Sequence, residues 1–313
     1  MYRTSVKLAV AAALGVIAGC DQPPARVAAP STSSLGSAAL ADDPLLQRIK
    51  AINASLAAQG LNIAIEAIEF YTIGLGRPSV RLHQAGDRWV PNDPRRLAQG
   101  IDITYLVDLS DGATASGLTS AQTQTAIDAA LTTWDTGRPL RKVDVVKRTD
   151  TGADPDIFDF FFGFGGFGNP FLADIVHAGW LPRAFFEAVF GPGGGTGALA
   201  FSVSFVFVDS NGVPTDVNGD GYPDTALAEV YYNDNFGNPA GDRPGFPWVI
   251  NLPLPGIDVQ TVALHESGHG FGLGHFGAPP IALMNPAYRG ILQNPLPPDN
   301  AGMFALWASW PNP

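Results

Sequence analysis

Three histidines and a glutamate lie within eleven residues of the chain, in the pattern H-E-x-x-H-x-x-G-x-x-H. The histidines are His265, His269 and His275, the glutamate is Glu266, and Gly272 fills the glycine position. Residues four apart lie on one face of an α-helix, so His265 and His269 can present two imidazoles to one metal ion. His275 can reach that ion only if the helix ends and the chain turns back. Gly272 permits this turn, because glycine enters the left-handed conformation without a Cβ clash.

These residue types predict one catalytic zinc ion. Three neutral imidazoles leave the fourth zinc position open for water, which distinguishes a catalytic site from a structural one. Zinc lowers the pKa of that water, and Glu266 is placed to act as its general base. The pattern therefore predicts an endopeptidase that hydrolyses peptide bonds with a Glu-assisted, zinc-bound water. Surface histidines at helical spacing are the alternative, but three of the chain's five histidines fall in the motif.

The residues around the motif predict the helix that must carry it. Asp258 is a suitable N-cap, and an apolar face begins at Val259 and Val262. Gly268 and Gly270 each cost a helix about 1 kcal/mol relative to alanine. The two glycines therefore predict close packing of the helix backbone near the site, with a loosely wound helix as the alternative.

The long motif resembles the metzincin signature, and the chain is similar to the matrixin-type zinc metalloproteases. In that family a methionine turn follows the third ligand and packs beneath the metal site as a hydrophobic base, a role that the resemblance assigns to Met284. Astacin- and serralysin-type chains carry a tyrosine two residues after this methionine, whereas here the position holds Pro286. Pro286 and Tyr288 resemble the matrixin wall of the S1′ pocket and are the candidate substrate-pocket residues.

The resemblance covers about residues 98–313 and implies an α+β, metzincin-type catalytic domain. We expect a twisted mixed β-sheet, an active-site helix, the methionine turn and a C-terminal helix at 298–307. Alternating and helical patterns predict a strand at 101–108 and a helix at 119–134, and the stretch 143–162 predicts two more strands.

Two features common in matrixins are not expected here. A second, structural zinc needs three histidines and an aspartate, but only His83 and His177 remain outside the motif. The resemblance places His177 on the edge strand that pairs with bound peptide, although a surface or core role is the simpler interpretation. A Pro-Arg-Cys-Gly cysteine switch does not occur in the sequence.

A second cluster of oxygen donors at alternate positions predicts a structural calcium ion. Its members are Asp216, Asn218, Asp220, Tyr222 (through its carbonyl) and Asp224. Gly221 follows the third donor, where a calcium loop turns sharply. The twelfth position is Leu227 rather than glutamate, and the flanks at 200–208 and 228–232 resemble strands. The pattern therefore indicates a calcium-binding β-connection and not an EF-hand, with an ordinary polar turn as the alternative.

The first residues predict export and a lipid anchor. Arg3 and Lys7 precede an apolar run at 8–17, which is too short to form a stable membrane span. The run ends at Cys20, the only cysteine, in a sequence that resembles the bacterial lipobox. We expect a signal peptide at 1–19, lipidated Cys20, a flexible tether at 20–43, and a protein on the periplasmic or cell-surface face of a bacterial membrane.

Residues 44–97 form a separate segment ahead of the catalytic domain. The pattern predicts a helix at 45–58 and a strand at 62–71, with which residues 81–90 could pair. Both a removable propeptide and an extension that packs on the catalytic domain remain open.

The formal net charge of −11 disfavours nucleic-acid binding. The glycine-rich stretches 163–168 and 191–197 lack the Lys-Ser/Thr of a phosphate-binding loop. We expect the apolar stretch 158–167 to shelter the cleft. The sequence thus predicts a monomeric, lipid-anchored zinc endopeptidase acting on peptides or proteins. Two alternatives are a non-catalytic surface lipoprotein that uses the same scaffold for binding and a hydrolase of non-peptide amides.

Overall fold

The structure is a computed structural model, and it describes residues 43–74, 80–82, 86–96, 100–137, 140, 142–165 and 171–311. The predicted signal peptide and Cys20 lie outside the described residues, as do His83 and nearly all of the tether. No helix in these described ranges is long and apolar enough to cross a membrane.

An eight-stranded mixed sheet forms the centre of the molecule, in the order β10-β1-β6-β7-β5-β3-β4, with β2 paired to β1. Its strands are β1 (Ile63–Ile73), β2 (Val80–Arg81), β3 (Ile103–Val107), β4 (Val145–Lys147), β5 (Ile175–Leu181), β6 (Ala198–Phe207), β7 (Thr225–Asn233) and β10 (Ala287–Tyr288). β3, β4, β5 and β7 run parallel, whereas β6 is antiparallel to both β7 and β1. A separate two-stranded sheet joins β8 (Trp248–Val249) to β9 (Ile257–Asp258).

Helices cover both faces of the sheet and confirm the predicted α+β class. They are α1 (Pro44–Ala58), α2 (Ser120–Asp135), α3 (Arg183–Phe190), α4 (Gly194–Gly197), α5 (Val259–Gly270) and α6 (Pro297–Trp307), together with a 3-10 helix at Asp159–Phe162. α2 begins with a capping box, in which the side chains and backbone amides of Thr119 and Gln122 bond reciprocally.

The first hydrophobic core fills the space between the sheet, α2 and α5. Ile103 of β3, Ile127 and Trp134 of α2, and Leu264 of α5 are all buried there. The indole N–H of Trp134 donates to the carbonyl oxygen of Leu264 at 2.9 Å, so a core side chain also fixes the position of α5.

A second, phenylalanine-rich core covers the other face of the sheet. Neighbouring residues of β7 divide between the cores, with Tyr232 in the first and Tyr231 in the second, as strand alternation requires. Phe158 and Phe185 pack in this second core together with α1. The described part of 158–167 therefore lies on the face opposite α5, and the prediction that it shelters the cleft is wrong.

Two other expectations about the sheet are also wrong. Residues 143–162 contain one strand instead of two, because the amides of Ile157 and Phe158 donate to the buried carboxylate of Glu229 and not to a strand partner. His177 does not lie on an edge strand. Its strand, β5, is interior between β3 and β7. The simpler interpretation is confirmed, because His177 is a core residue whose Nδ1 contacts the hydroxyl of Tyr232 at 2.7 Å.

The segment 44–97 packs directly on the sheet. α1 buries an apolar face against β1, made by Leu45, Ile49, Ile52 and Leu56. Asn53 of this helix accepts from the amide of Ile65 at 2.7 Å and donates to the same residue's carbonyl oxygen at 3.1 Å. The predicted helix and strand are confirmed, and β1 is the longest strand of the central sheet among the described residues.

Candidate metal centre

The helix predicted to carry two of the metal ligands is α5. Its first turn is capped by Asp258 and its exit turns at Gly272, as the sequence predicts. The carboxylate of Asp258 caps the first turn by accepting the amide of Thr261 at 2.9 Å. The helix ends at Gly270, and Gly272 adopts φ +95°, which an L side chain would strain. The amide of Gly272 donates to the carbonyl oxygen of His269 at 2.8 Å, and the chain then turns back towards the helix.

The turn brings the three predicted ligands together. The Nε2 atoms of His265, His269 and His275 lie 3.2 Å from one another. Three nitrogens bound tetrahedrally to zinc at 2.0–2.1 Å are separated by about 3.4 Å. The three imidazoles therefore fit a single zinc ion without rearrangement.

Hydrogen bonds to Nδ1 of His265 and of His269 determine which nitrogen of each ring is free to bind a metal ion. The Nδ1 atoms of His265 and His269 contact the carbonyl oxygens of Leu283 and Leu273, at 2.8 and 2.7 Å. A carbonyl oxygen only accepts, so each Nδ1 carries the hydrogen and each Nε2 keeps a lone pair for the metal. Burial lowers the pKa of all three imidazoles, that of His269 to about 3, which keeps them in the neutral form that binds metal.

A residue of the N-terminal segment supports the third ligand. Oε2 of Glu69, in β1, lies 3.3 Å from Nδ1 of His275. Oε1 of Glu69 accepts from the guanidinium of Arg81 in β2 at 2.7 Å. A carboxylate behind a metal-binding imidazole orients the ring and raises its basicity. The motif gave no sign that Glu69 belongs to the site, because this residue lies almost two hundred residues before the motif in the chain.

Glu266 is fully buried, and a serine holds its carboxylate. The hydroxyl of Ser202, in β6, donates to Oε2 of Glu266 at 2.8 Å and lies 3.1 Å from the backbone carbonyl oxygen of the same residue. Oε1 of Glu266 has no hydrogen-bond partner within the part of the chain that the structure describes. Burial raises the pKa of Glu266, and the hydroxyl of Ser202 opposes this shift. Ser202 was not predicted as a site residue either. Its position inside the apolar run of β6 indicates a buried polar partner only weakly.

Met284 is fully buried against Gly268, on the helix that carries two of the predicted ligands. A Cβ added at Gly268 would lie 2.6 Å from its Sδ atom, so the helix glycine allows the methionine to approach the backbone. The carboxylate of Asp299, in the first turn of α6, accepts the amides of Leu283 and Met284 at 2.8 and 3.0 Å. The C-terminal helix thereby holds the methionine turn in place.

The predicted pocket residues Pro286 and Tyr288 both contact β1, and Tyr71 of that strand lies against His265. The ring of Tyr71 stacks on that of His265, with centroids 3.7 Å apart and planes 8° apart. The edge of Tyr288 meets Tyr71 at 5.9 Å. The carbonyl oxygen of Pro286 accepts both the amide and the hydroxyl of Thr72, each at 3.0 Å.

The three carboxylates of the predicted calcium loop, Asp216, Asp220 and Asp224, are not gathered around one point. Asp216 accepts the amides of Asp220 and Gly221 at 3.0 and 2.9 Å. Asp224 is turned inward, where its Oδ2 accepts from Arg95 at 2.8 Å. In the described ranges, the loop is not among the places where three carboxylates or imidazoles come within 4.8 Å of one another. Calcium at this loop therefore stays a prediction.

Comparison with known proteins agrees with this geometry. A mixed sheet beside a helix that carries two imidazoles and a buried glutamate, with a third imidazole brought back by the turn after the helix, defines a metzincin-type metallopeptidase fold. The sequence model of the matrixin peptidase family matches residues 97–306, and the chain therefore belongs to the matrixin family. The family binds zinc, with which the three histidines are compatible. A search of curated proteins found no match.

Proposed function

We propose that this protein is a zinc endopeptidase. The observation that carries the proposal is the convergence of three imidazole nitrogens beside Glu266, a buried glutamate with one carboxylate oxygen left open. Held by His265, His269 and His275, zinc supplies Lewis acidity to a water molecule and to the peptide carbonyl. The substrates are peptides or proteins, as for other peptidases.

The protein's own residues supply proton transfer and orientation. Oε1 of Glu266 accepts a proton from the attacking water and then delivers it to the leaving amine, as general acid–base catalysis requires. Ser202 restrains the other carboxylate oxygen, so that the open oxygen keeps a fixed direction. Pro286 and Tyr288 are proposed to line the pocket that receives a substrate side chain.

Replacing the general base tests this function. Glu266→Gln keeps the shape of the side chain but removes the base, so we expect zinc content to remain near one per chain. Turnover of a peptide library should fall by about 10²- to 10⁴-fold. Glu187→Gln, on the exposed side of α3, is the matched control and should leave both quantities unchanged.

The same assay separates the rival functions. Zinc binding without cleavage of any peptide, even after β1 is released as described below, favours the non-catalytic binding protein. Hydrolysis confined to non-peptide amides favours the third alternative.

We also propose that the segment 44–97 is an inhibitory extension. β1 runs antiparallel to β6 and parallel to β10, and therefore occupies the strand edge where an extended peptide could add to the sheet. Tyr71 fills the position beside His265, and Glu69 faces His275. A peptide substrate would have to take the place of residues 71–73.

Only part of β1 has to leave. Ile63, Ile65 and Ile68 are buried in the second core, so the first half of the strand is held firmly by apolar packing. Phe70 is buried in the same core, and β1 pairs with β6 as far as Thr72. The end of the strand is held at the metal centre by the stacked Tyr71 and the two bonds of Thr72. We therefore expect activation to displace residues 71–73, while α1, the first part of β1 and Glu69 stay in place.

A lipid anchor at Cys20 is proposed from the sequence pattern. It would hold a monomeric enzyme on the outer-facing side of a bacterial membrane, where the chain length of the tether limits its reach. Metabolic labelling with palmitate tests this, and the label should be lost in Cys20→Ser. An unlabelled wild-type protein would contradict the anchor.

A further inference from the structure

The surface formed by the last part of the chain carries almost no charge. Apart from the ligand histidines, the ionisable side chains in 244–313 are Asp258, Glu266, Arg289 and Asp299. The three acidic residues are each 0% exposed, whereas Arg289 is exposed. Within the described part of this stretch, Arg289 is therefore the one charged side chain that a bound peptide can meet at the surface.

Arg289 directly follows β10, the strand that carries the candidate pocket wall. The hydroxyl of Tyr288 accepts the amide of Asp258 at 2.9 Å, so the tyrosine side chain points into the protein. Successive side chains of a strand point to opposite faces, and Arg289 accordingly points to solvent. Arg289 takes part in none of the ion pairs found in the described ranges, so its charge is available to a ligand.

Strand register places Arg289 beside the path of β1. β10 runs parallel to β1, with Thr72 opposite Ala287 and Ile73 opposite Tyr288. The next residue of β10 is Arg289, and it therefore lies beside the position that follows Ile73. A peptide that replaces residues 71–73 passes Arg289 immediately afterwards.

The direction of that peptide follows from the strands on either side. A peptide in the place of residues 71–73 keeps the antiparallel pairing with β6 and the parallel pairing with β10 only if it runs in the direction of β1. Tyr71 lies against His265, so the cleaved bond lies at this end of the replaced segment. Burial raises the pKa of Tyr71, and the charge of Arg289 opposes that rise, so the guanidinium acts on this part of the site. Arg289 thus lies on the C-terminal side of the cleaved bond.

We propose that Arg289 selects substrates with a carboxylate at the position after the one that replaces Ile73. The inference rests on the proposed peptidase function and names a substrate class for it. A guanidinium binds a carboxylate through two parallel N–H donors, and no other exposed charge on this part of the chain competes with it. The carboxylate belongs either to an aspartate or glutamate side chain or to the C-terminus of a short peptide. An exposed ion pair of this kind changes kcat/KM by about two- to fivefold.

Cleavage-site profiling tests the selection. A library of amidated peptides is digested by the full chain, and the cleaved sequences are identified by mass spectrometry. We expect aspartate and glutamate to be enriched at one position on the C-terminal side of the cleaved bond. Arg289→Gln should lose this enrichment, and Arg289→Glu should replace it with an enrichment of lysine and arginine. Tyr71→Ala serves as a common background if the end of β1 keeps wild-type turnover too low to profile.

Lys50→Gln is the matched control. Lys50 is exposed on α1, which packs on the other face of the sheet, so the variant removes the same charge far from β10. It should leave the cleavage pattern unchanged. A change equal to that in Arg289→Gln would show that the net charge of the protein, and not the position of Arg289, determines the preference.

Kinetics with matched peptides supply a second readout. Two amidated peptides differ only by Glu or Gln at the selected position, and a third, shorter peptide ends there with a free carboxylate or an amide. Arg289 lies away from the reacting bond, so its loss should raise KM for the acidic peptide and leave kcat unchanged. The preference should also shrink when salt is raised from about 0.05 M to about 0.5 M, because an exposed pair is screened. The peptide that shows the larger effect identifies the source of the carboxylate.

Two outcomes overturn the proposal while leaving the peptidase function in place. One is equal kcat/KM for the Glu and Gln peptides, together with equal values for the free and amidated short peptides, in a wild type that cleaves them. The other is an acidic preference that persists in Arg289→Gln. If the zinc-loaded protein and its variants cleave no peptide at all, the peptidase function itself is wrong, and the selection by Arg289 is wrong with it.

Discussion

Each residue of the metal centre depends on a partner that fixes its direction. Two ligand imidazoles donate from Nδ1 to backbone carbonyl oxygens, and the third lies against Glu69. Ser202 restrains Glu266, and Gly268 leaves room for Met284. The ligands are therefore arranged before any metal binds, and metal affinity is not reduced by the cost of ordering them.

Ser202 provides the prediction at this scale. In Ser202→Ala the carboxylate of Glu266 loses its hydroxyl donor, and a hydrogen bond to a charged group contributes about 1.5–3 kcal/mol. We expect kcat to fall by roughly 10- to 100-fold while KM and zinc content stay near their wild-type values. Steady-state kinetics and metal analysis check this. Ser204→Ala, two residues along the same strand, should behave as the wild type, and equal losses in both variants would show that Ser202 has only a packing role.

At the scale of elements, β1 determines whether the centre is accessible. The strand joins β6 to β10, and its second half covers the metal ligands. Its first half belongs to the second core, which also holds α1 and α3. An element that is firmly anchored at one end and attached by few contacts at the other can open locally without unfolding the sheet.

Loosening the second half of β1 should therefore increase activity. Tyr71→Ala removes the ring stacked on His265, and Thr72→Pro removes the amide that donates to the carbonyl oxygen of Pro286. We expect each variant to cleave a peptide several-fold faster than the wild type. Tyr71→Phe keeps the stacked ring and is the control. Slower cleavage by Tyr71→Ala, with zinc content unchanged, would place Tyr71 in the catalytic machinery and contradict an inhibitory role for β1.

At the scale of the whole molecule, the metal centre is part of the first core. His265 is 0% exposed and His269 is 3% exposed, and their helix contributes Leu264 to the first core, in which Met284 is also buried. Zinc should therefore stabilise the fold as well as support catalysis, because it binds the native arrangement and not the unfolded chain.

Removing zinc tests this coupling. At free zinc a thousandfold above its Kd, linkage contributes about 4 kcal/mol to the free energy of unfolding, or a Tm difference of roughly 8–16 °C. Calorimetry of the protein before and after chelation, with calcium restored in both samples, measures it. Zinc should restore the Tm, whereas magnesium should not. An unchanged Tm after zinc is removed would mean that the three histidines do not bind it.

Local spacing was sufficient to predict the three ligands, Glu266 and the turn at Gly272, because all of them lie on one helix and its exit. Apolar periodicity located α1 and α2 for the same reason, since a helix is patterned over neighbouring residues, and the family resemblance located α6. Ser202, Glu69 and Tyr71 reach the centre only because β1 pairs with β6, more than a hundred residues away in the chain. The interior position of His177 likewise follows from strand order. Pairing between distant strands has no local signature, so only the folded structure revealed these contacts.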